Sequence, residues 1–227
     1  MSAHGHKKPV PCRICTTTGL LYGVELLRDM DEAALLRELR LMKRLHTLVC
    51  ATDDWKAYRK ILKLLKVFHQ KCILHAKQAV TRIMRKRRIQ KKRAKKFKRW
   101  LFSFLDSKSM KEARKWLRVI GRIKGEKKLA RFMASFLTDW QDYFTYLSFD
   151  GCPKTSNADE QFNRRFEQKY QSMHGFRKER TARAFLALYQ IHSMFRKFEE
   201  GVHKGLSPLE IAGVQLGCTD VFDFLRE

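Results

Sequence analysis

The stretch TLVCATDDWKAYRKILKLLKVF, residues 47–68, decides how the rest of the chain is read. Residues 47–51 form a short, mostly apolar run bounded by polar groups, which predicts a buried strand. Thr52, Asp53 and Asp54 follow at once and suit the cap of a helix over 55–68, with Tyr58, Ile61, Leu62, Leu65 and Phe68 on one face. A strand running directly into a helix is the repeating unit of an α/β sheet. It puts Asp53 at the carboxyl end of the strand, where such folds collect their functional groups.

Upstream, residues 9–28 alternate weakly about the polar turn Thr16-Thr17-Thr18-Gly19, which predicts a hairpin ending in a strand over 20–27. Asp29 or Asp31 then caps a helix carrying Ala34, Leu35, Leu39, Met42 and Leu45 at helical spacing. The order strand, strand, helix, strand, helix gives an α/β fold class.

Downstream, residues 76–147 read as almost purely helical, in segments near 76–104, 110–120 and 127–146, with breaks at Asp106-Ser107, Gly121 and Gly125. The run 82–99 is the most basic of the chain. A charge run is commonly just a solvated face, but like charge at this density favours contact with DNA, through Arg85, Arg87, Arg88, Lys91, Lys92 and Arg93.

A turn, Phe149-Asp150-Gly151-Cys152-Pro153, leads into a helix after Asn157. Its residues Phe162, Phe166 and Tyr170 recur every four positions as a core-facing stripe, so the sheet is expected on that side. A further helix starts near Glu179-Arg180-Thr181, and the tail reads as a short capped turn at Leu206-Ser207-Pro208 followed by an amphipathic helix. By this reading the chain divides into an α/β part (1–75), a basic helical insertion (76–150), closing helices (151–200) and a tail (201–227).

The 227 residues suffice for a real core, with 44% hydrophobic and 11% aromatic residues. The formal net charge is +26 and the pI about 10.2, which points to a polyanionic partner, nucleic acid above all. No run approaches the roughly 18 apolar residues of a membrane span, and residues 1–12 lack a signal-peptide core, so the expected location is cytoplasmic and nucleoid-associated. Six scattered cysteines do not make a disulfide framework and are expected as reduced thiols.

Two acids stand out. Glu160 begins a helix otherwise rich in arginine and lysine, and Asp53 closes a strand. Each has a plain structural reading, as a first-turn acid favoured by the helix dipole and as a helix cap. Together they could hold a hard divalent cation at a phosphate backbone. Cys72 and His75 have the spacing of half a zinc site, and Cys12 with Cys15 form a second incomplete half.

The blocks TDD-W (52–55), Q-x-C-x-x-H (70–75), T-S-N-A-x-E-x-x-N-R-x-F (155–166) and G-F-x-x-x-x-T-A-x-x-F-L (175–186), with the closing SPLEIAG, resemble the catalytic core of DDE-type insertion-sequence transposases related to the Mutator class. The resemblance spans about residues 20–227. It implies a ribonuclease-H-like mixed sheet with a large helical insertion, and three acids holding Mg²⁺ for attack on the phosphodiesters of insertion-sequence DNA. By position Asp53 is the second acid, Glu160 the third, and Cys72 and His75 the C-x-x-H signature. Asn157 and Arg164 flank the third acid, and Arg165 adds to the basic surface beside them. The implied partners are the double-stranded ends of the element and other copies of this chain or a full-length transposase.

No acid before Asp53 matches the first position: Glu25 lies in a late strand, and Asp29, Asp31, Glu32 and Glu38 cap or solvate a helix. The expectation is therefore an N-terminally truncated core, its opening strand missing and inactive alone. Two alternatives are a non-catalytic DNA-binding protein or transposition inhibitor of the same fold, and an unrelated basic helical protein that binds nucleic acid.

Overall fold

The computed structural model describes residues 2–3, 6–7, 10, 12–27, 31–44, 46–53, 55–86, 91–121 and 127–216. In chain order the elements begin with β1 (Ser2–Ala3), β2 (His6–Lys7), β3 (Cys12–Ile14), β4 (Leu21–Val24), α1 (Glu32–Arg44) and β5 (Val49–Thr52). There follow α2 (Lys56–Leu65), β6 (Phe68–Lys71), α3 (Ile73–Lys86), α4 (Lys91–Leu105), α5 (Met110–Gly121) and α6 (Lys127–Leu137). After two 3-10 turns, Trp140–Tyr143 and Thr145–Leu147, come α7 (Asn157–Ser172), α8 (Glu179–Phe195) and α9 (Pro208–Ile211). The class is α/β, and no helix among the described residues is long and apolar enough to cross a membrane. The chain forms two compact units, a central one of Leu35–Ser156 and a terminal one that combines Met1–Ala34 with Asn157–Glu227.

The central unit is built on a strand–helix–strand turn. β5 and β6 pair in parallel from Val49↔Phe68 to Thr52↔Lys71, joined by α2. The expected strand at 47–51 is present two residues later, and Asp53 follows its last residue. The helix after it is shorter than its periodicity predicts. It stops at Leu65 because Lys66 turns left-handed (φ 56°), and the Lys66 amide caps it by donating to the carbonyls of Leu62 and Lys63. Phe68, expected as the last helical residue, starts β6 instead.

α2 buries Ala57, Ile61, Leu62 and Leu65 against Leu35 and Leu39 of α1 and Cys50 of β5. A second core lies among α3 to α6, where Val80, Leu101, Phe104 and Ala113 are fully buried. The single helix expected over 76–104 is two helices, α3 and α4. Lys77 near the start of α3 pairs with Asp106 just past the end of α4 (2.5 Å), so the two run back along each other.

The terminal unit carries the expected hairpin. β3 and β4 pair antiparallel with Cys12↔Val24 and Arg13↔Gly23. The turn closes through the Gly19 amide on the Cys15 carbonyl (2.7 Å), with Gly19 at φ 75°. Leu21, Val24 and Leu26 of the hairpin pack on Phe162 and Phe166 of α7 and on Ala182 and Leu186 of α8, so the aromatic stripe of α7 does face the strands.

One mixed sheet is not what the described strands form. They pair two by two, as β1–β2, β3–β4 and β5–β6, because the hairpin and the parallel pair belong to different units.

Candidate functional site

In the central unit the parallel register brings two candidate groups to one edge. Thr52 and Lys71 end their strands side by side, and the Cys72 amide donates to the Thr52 carbonyl (2.8 Å), so Asp53 and Cys72 leave adjacent strands at the same end. The Asp53 carboxylate is exposed, and its Oδ1 accepts the Trp55 amide (3.2 Å). Asp54 lies outside the described residues.

Cys72 is 2% exposed. Its sulfur accepts the Ser156 amide (3.3 Å), and the Ser156 hydroxyl meets His75 Nδ1 at 3.5 Å. The sulfur and a His75 ring nitrogen lie within 4.8 Å of each other, because the first turn of α3 stacks positions three apart. The C-x-x-H pair is thus a real juxtaposition, and a thiolate with an imidazole suits a softer ion such as Zn²⁺ rather than Mg²⁺.

Behind Asp53 the structure adds a set of polar contacts that the sequence reading missed. The Thr52 hydroxyl donates to the Asp53 carbonyl (2.8 Å), so it receives its own bond from His69 Nε2 (2.8 Å). The other ring nitrogen of His69 faces the Asp142 carboxylate at 3.5 Å. The next two residues of β6 are equally committed. The Gln70 amide nitrogen donates to the carbonyls of Lys71 (2.8 Å) and Tyr143 (3.1 Å), and its oxygen accepts the Tyr146 amide (2.9 Å). Lys71 is fully buried, donates to the Thr138 carbonyl (2.6 Å) and lies over the Tyr143 ring. These bonds fix the strand ends that present Asp53 and Cys72. The only signal in the sequence is the polar run His69-Gln70-Lys71 itself, which a hydrophobic pattern cannot recognise as a buried strand.

In the terminal unit Asn157 opens α7 and Glu160 stands half-buried in its first turn. Asp159 beside it is the most perturbed carboxyl of the described chain: burial, and then the charge of Glu160, push its pKa up to about 7. Asp159 in turn acts on Cys12. Burial first and that carboxylate second push the Cys12 thiol up to about 12, so it remains protonated and donates to Asn163 Oδ1 at 3.6 Å. Cys15 behaves differently. Burial works to raise it, yet hydrogen bonds from Thr18, the Thr17 backbone and Tyr22 together bring it below the usual thiol value.

Of the expected DNA-contacting residues, Arg164 and Arg165 are exposed on α7, Asn157 is exposed at its start, and Arg85 is exposed near the end of α3. Lys91, Lys92 and Arg93 lie in the first turn of α4, and Arg87 and Arg88 fall outside the described residues. Asp53 belongs to the central unit and Glu160 to the terminal one. The chain matches no protein family, no curated protein and no solved structure among those compared.

Proposed function

We propose that the chain is a DNA-binding core of the DDE transposase kind, in which Asp53 and Glu160 stand at the positions of metal-ligating acids for phosphoryl transfer but which is inactive alone. The observation that carries this reading is the position of Asp53, exposed at the carboxyl edge of a parallel strand pair and next to the C-x-x-H pair of Cys72 and His75. That edge is where α/β folds place their chemistry. The net charge of +26 and the exposed Arg85, Arg164 and Arg165 support a phosphate backbone as the partner.

The donor set fits Mg²⁺ in kind, since both acids offer hard oxygens, Asp53 to solvent and Glu160 beside a second carboxyl at Asp159. Asp53 and Glu160 would hold the ion, which when bound would activate water or a DNA 3′-hydroxyl. What the chain itself does is bind the phosphates through its basic residues and hold Asp53 still. The Thr52 hydroxyl, itself in contact with His69 Nε2, performs the second task by donating to the Asp53 backbone carbonyl.

A second reading, a DNA-binding protein without catalysis, draws on one contact: Asp53 accepts the Trp55 amide just before α2, which is a structural task in itself. Titration calorimetry with Mg²⁺ separates the two. Under the first reading Asp53→Asn and Glu160→Gln each weaken Mg²⁺ binding at least about tenfold while leaving duplex affinity in chelator nearly unchanged. Mg²⁺ binding that is equal in all three proteins would sink the metal reading and leave the binding protein. By the resemblance the first acid has no match before Asp53, so the chain alone is expected to leave plasmid DNA uncut. Mg²⁺-dependent nicking abolished by Glu160→Ala would show that the triad is complete after all.

A further inference from the structure

On the terminal unit the turn at Thr16–Gly19, α7, α8 and the segment 196–208 line a half-open cavity of about 720 Å³. Sites for small ligands commonly span about 300–1,000 Å³. Two helical stripes face into it. Gln161, Arg165 and Lys169 recur every four residues on α7, and Tyr189, His192 and Arg196 recur every three or four from α8 onward.

The far wall is Phe198, whose ring lies so close over Gly19 that a Cβ there would come within 2.7 Å of it. The Phe198 backbone is itself held, its amide donating to the Leu206 carbonyl (2.9 Å) and its carbonyl accepting the Gly205 amide (2.8 Å). Tyr189 packs edge to face on Phe166 and tilted against Phe162, at centroid distances of 5.5 and 5.4 Å.

Two carboxylates, Glu199 and Glu200, also line the cavity, and its cations are unequal in their commitments. Arg196 pairs with Glu199 (2.5 Å) and Lys197 approaches Glu210 (3.9 Å). Among the described residues no carboxylate pairs with Arg165 or Lys169. Burial raises the Tyr189 hydroxyl, and the charges of Arg165 on α7 and Arg196 just past α8 pull against that rise. Two cations without a carboxylate, one turn apart on a wall whose neighbours are aromatic, suit a ligand with a compact anion at one end and a flat ring at the other.

We propose that this cavity binds a nucleoside phosphate, the phosphate on Arg165 and Lys169 and the base against Tyr189 and Phe198. The proposal stands on the terminal unit alone and does not depend on the metal reading of Asp53 and Glu160. The nucleotide could be free or part of a single strand, and the test has an arm for each source.

Binding of AMP, adenosine, inorganic phosphate and a short single-stranded oligoadenylate is measured by calorimetry on the whole chain at fixed salt. AMP above both adenosine and phosphate identifies a free nucleotide; the oligoadenylate without AMP identifies a strand. In either case Arg165→Gln with Lys169→Gln lowers the affinity at least about tenfold, as loss of charge-assisted hydrogen bonds implies. Arg180→Gln, which removes the same charge from an exposed position of α8 outside the cavity, leaves it unchanged. Both α7 positions are exposed, so the fold survives their substitution, with circular dichroism as the check. No binding in either arm, or an equal loss in Arg180→Gln, overturns the proposal.

Discussion

Asp159 shows how one side chain can set a pH dependence. Its pKa is about 7 in the folded chain, because burial and the adjacent Glu160 disfavour its charge. In the unfolded chain it reverts to about 3.9. Between those values the folded state holds a proton that the unfolded state has released, so stability falls as pH rises from about 4 to 7 and is flat above. Asp159→Asn removes the titration. The variant should equal the parent near pH 4 and exceed it at pH 8 by roughly 1–3 kcal/mol in urea unfolding with chelator present. A difference that does not change with pH would place the perturbation elsewhere. Asp159 was not legible as a special residue, since in the sequence it is one of two neighbouring acids in a helix's first turn. The place of Asp53 was legible, because a strand followed at once by a helix leaves the acid between them at the strand end.

At the scale of elements, periodicity located what is amphipathic and failed where polar groups are buried. The hairpin, α1, α2, α5, α7 and α8 were all readable from apolar spacing. β6 was not: its residues His69, Gln70 and Lys71 are among the most buried polar groups of the chain, and what stabilises them is hydrogen bonding to residues 138–146 far along the sequence. The end of α2 was missed for a related reason. Val67 and Phe68 continue the apolar pattern, while the stop is a backbone event at Lys66, a residue that rarely signals one. A left-handed lysine carries a cost that glycine lacks. Lys66→Gly should therefore raise stability by about 0.5–1 kcal/mol, read as a higher thermal midpoint; a lower midpoint would mean that the lysine side chain contributes more than its backbone costs.

At the scale of the molecule, charge and chain path matter most. With 49 Lys and Arg against 23 Asp and Glu, the folded chain repels itself, and added salt or a polyanion relieves the repulsion. The thermal midpoint should rise between about 20 and 200 mM salt, whereas affinity for duplex DNA falls over the same range in proportion on logarithmic axes. A midpoint indifferent to salt would show that the basic residues are already matched within the fold. The shift to nearly pure helix near residue 76 was visible in composition. The union of residues before 35 with those after 156 was not, since it rests on α7 packing on β3 and α8 on β4, contacts that no local pattern announces.

That union has a consequence for how the protein is made. The hairpin emerges from the ribosome early, with Leu21, Val24 and Leu26 bare, while the helices that cover them are translated only after the whole central unit. Throughout that interval the nascent chain offers an apolar strand pair to any holding chaperone or neighbouring chain. The central unit can close during synthesis, but the hairpin stays uncovered until α7 and α8 have been made, so its protection from aggregation depends on their translation.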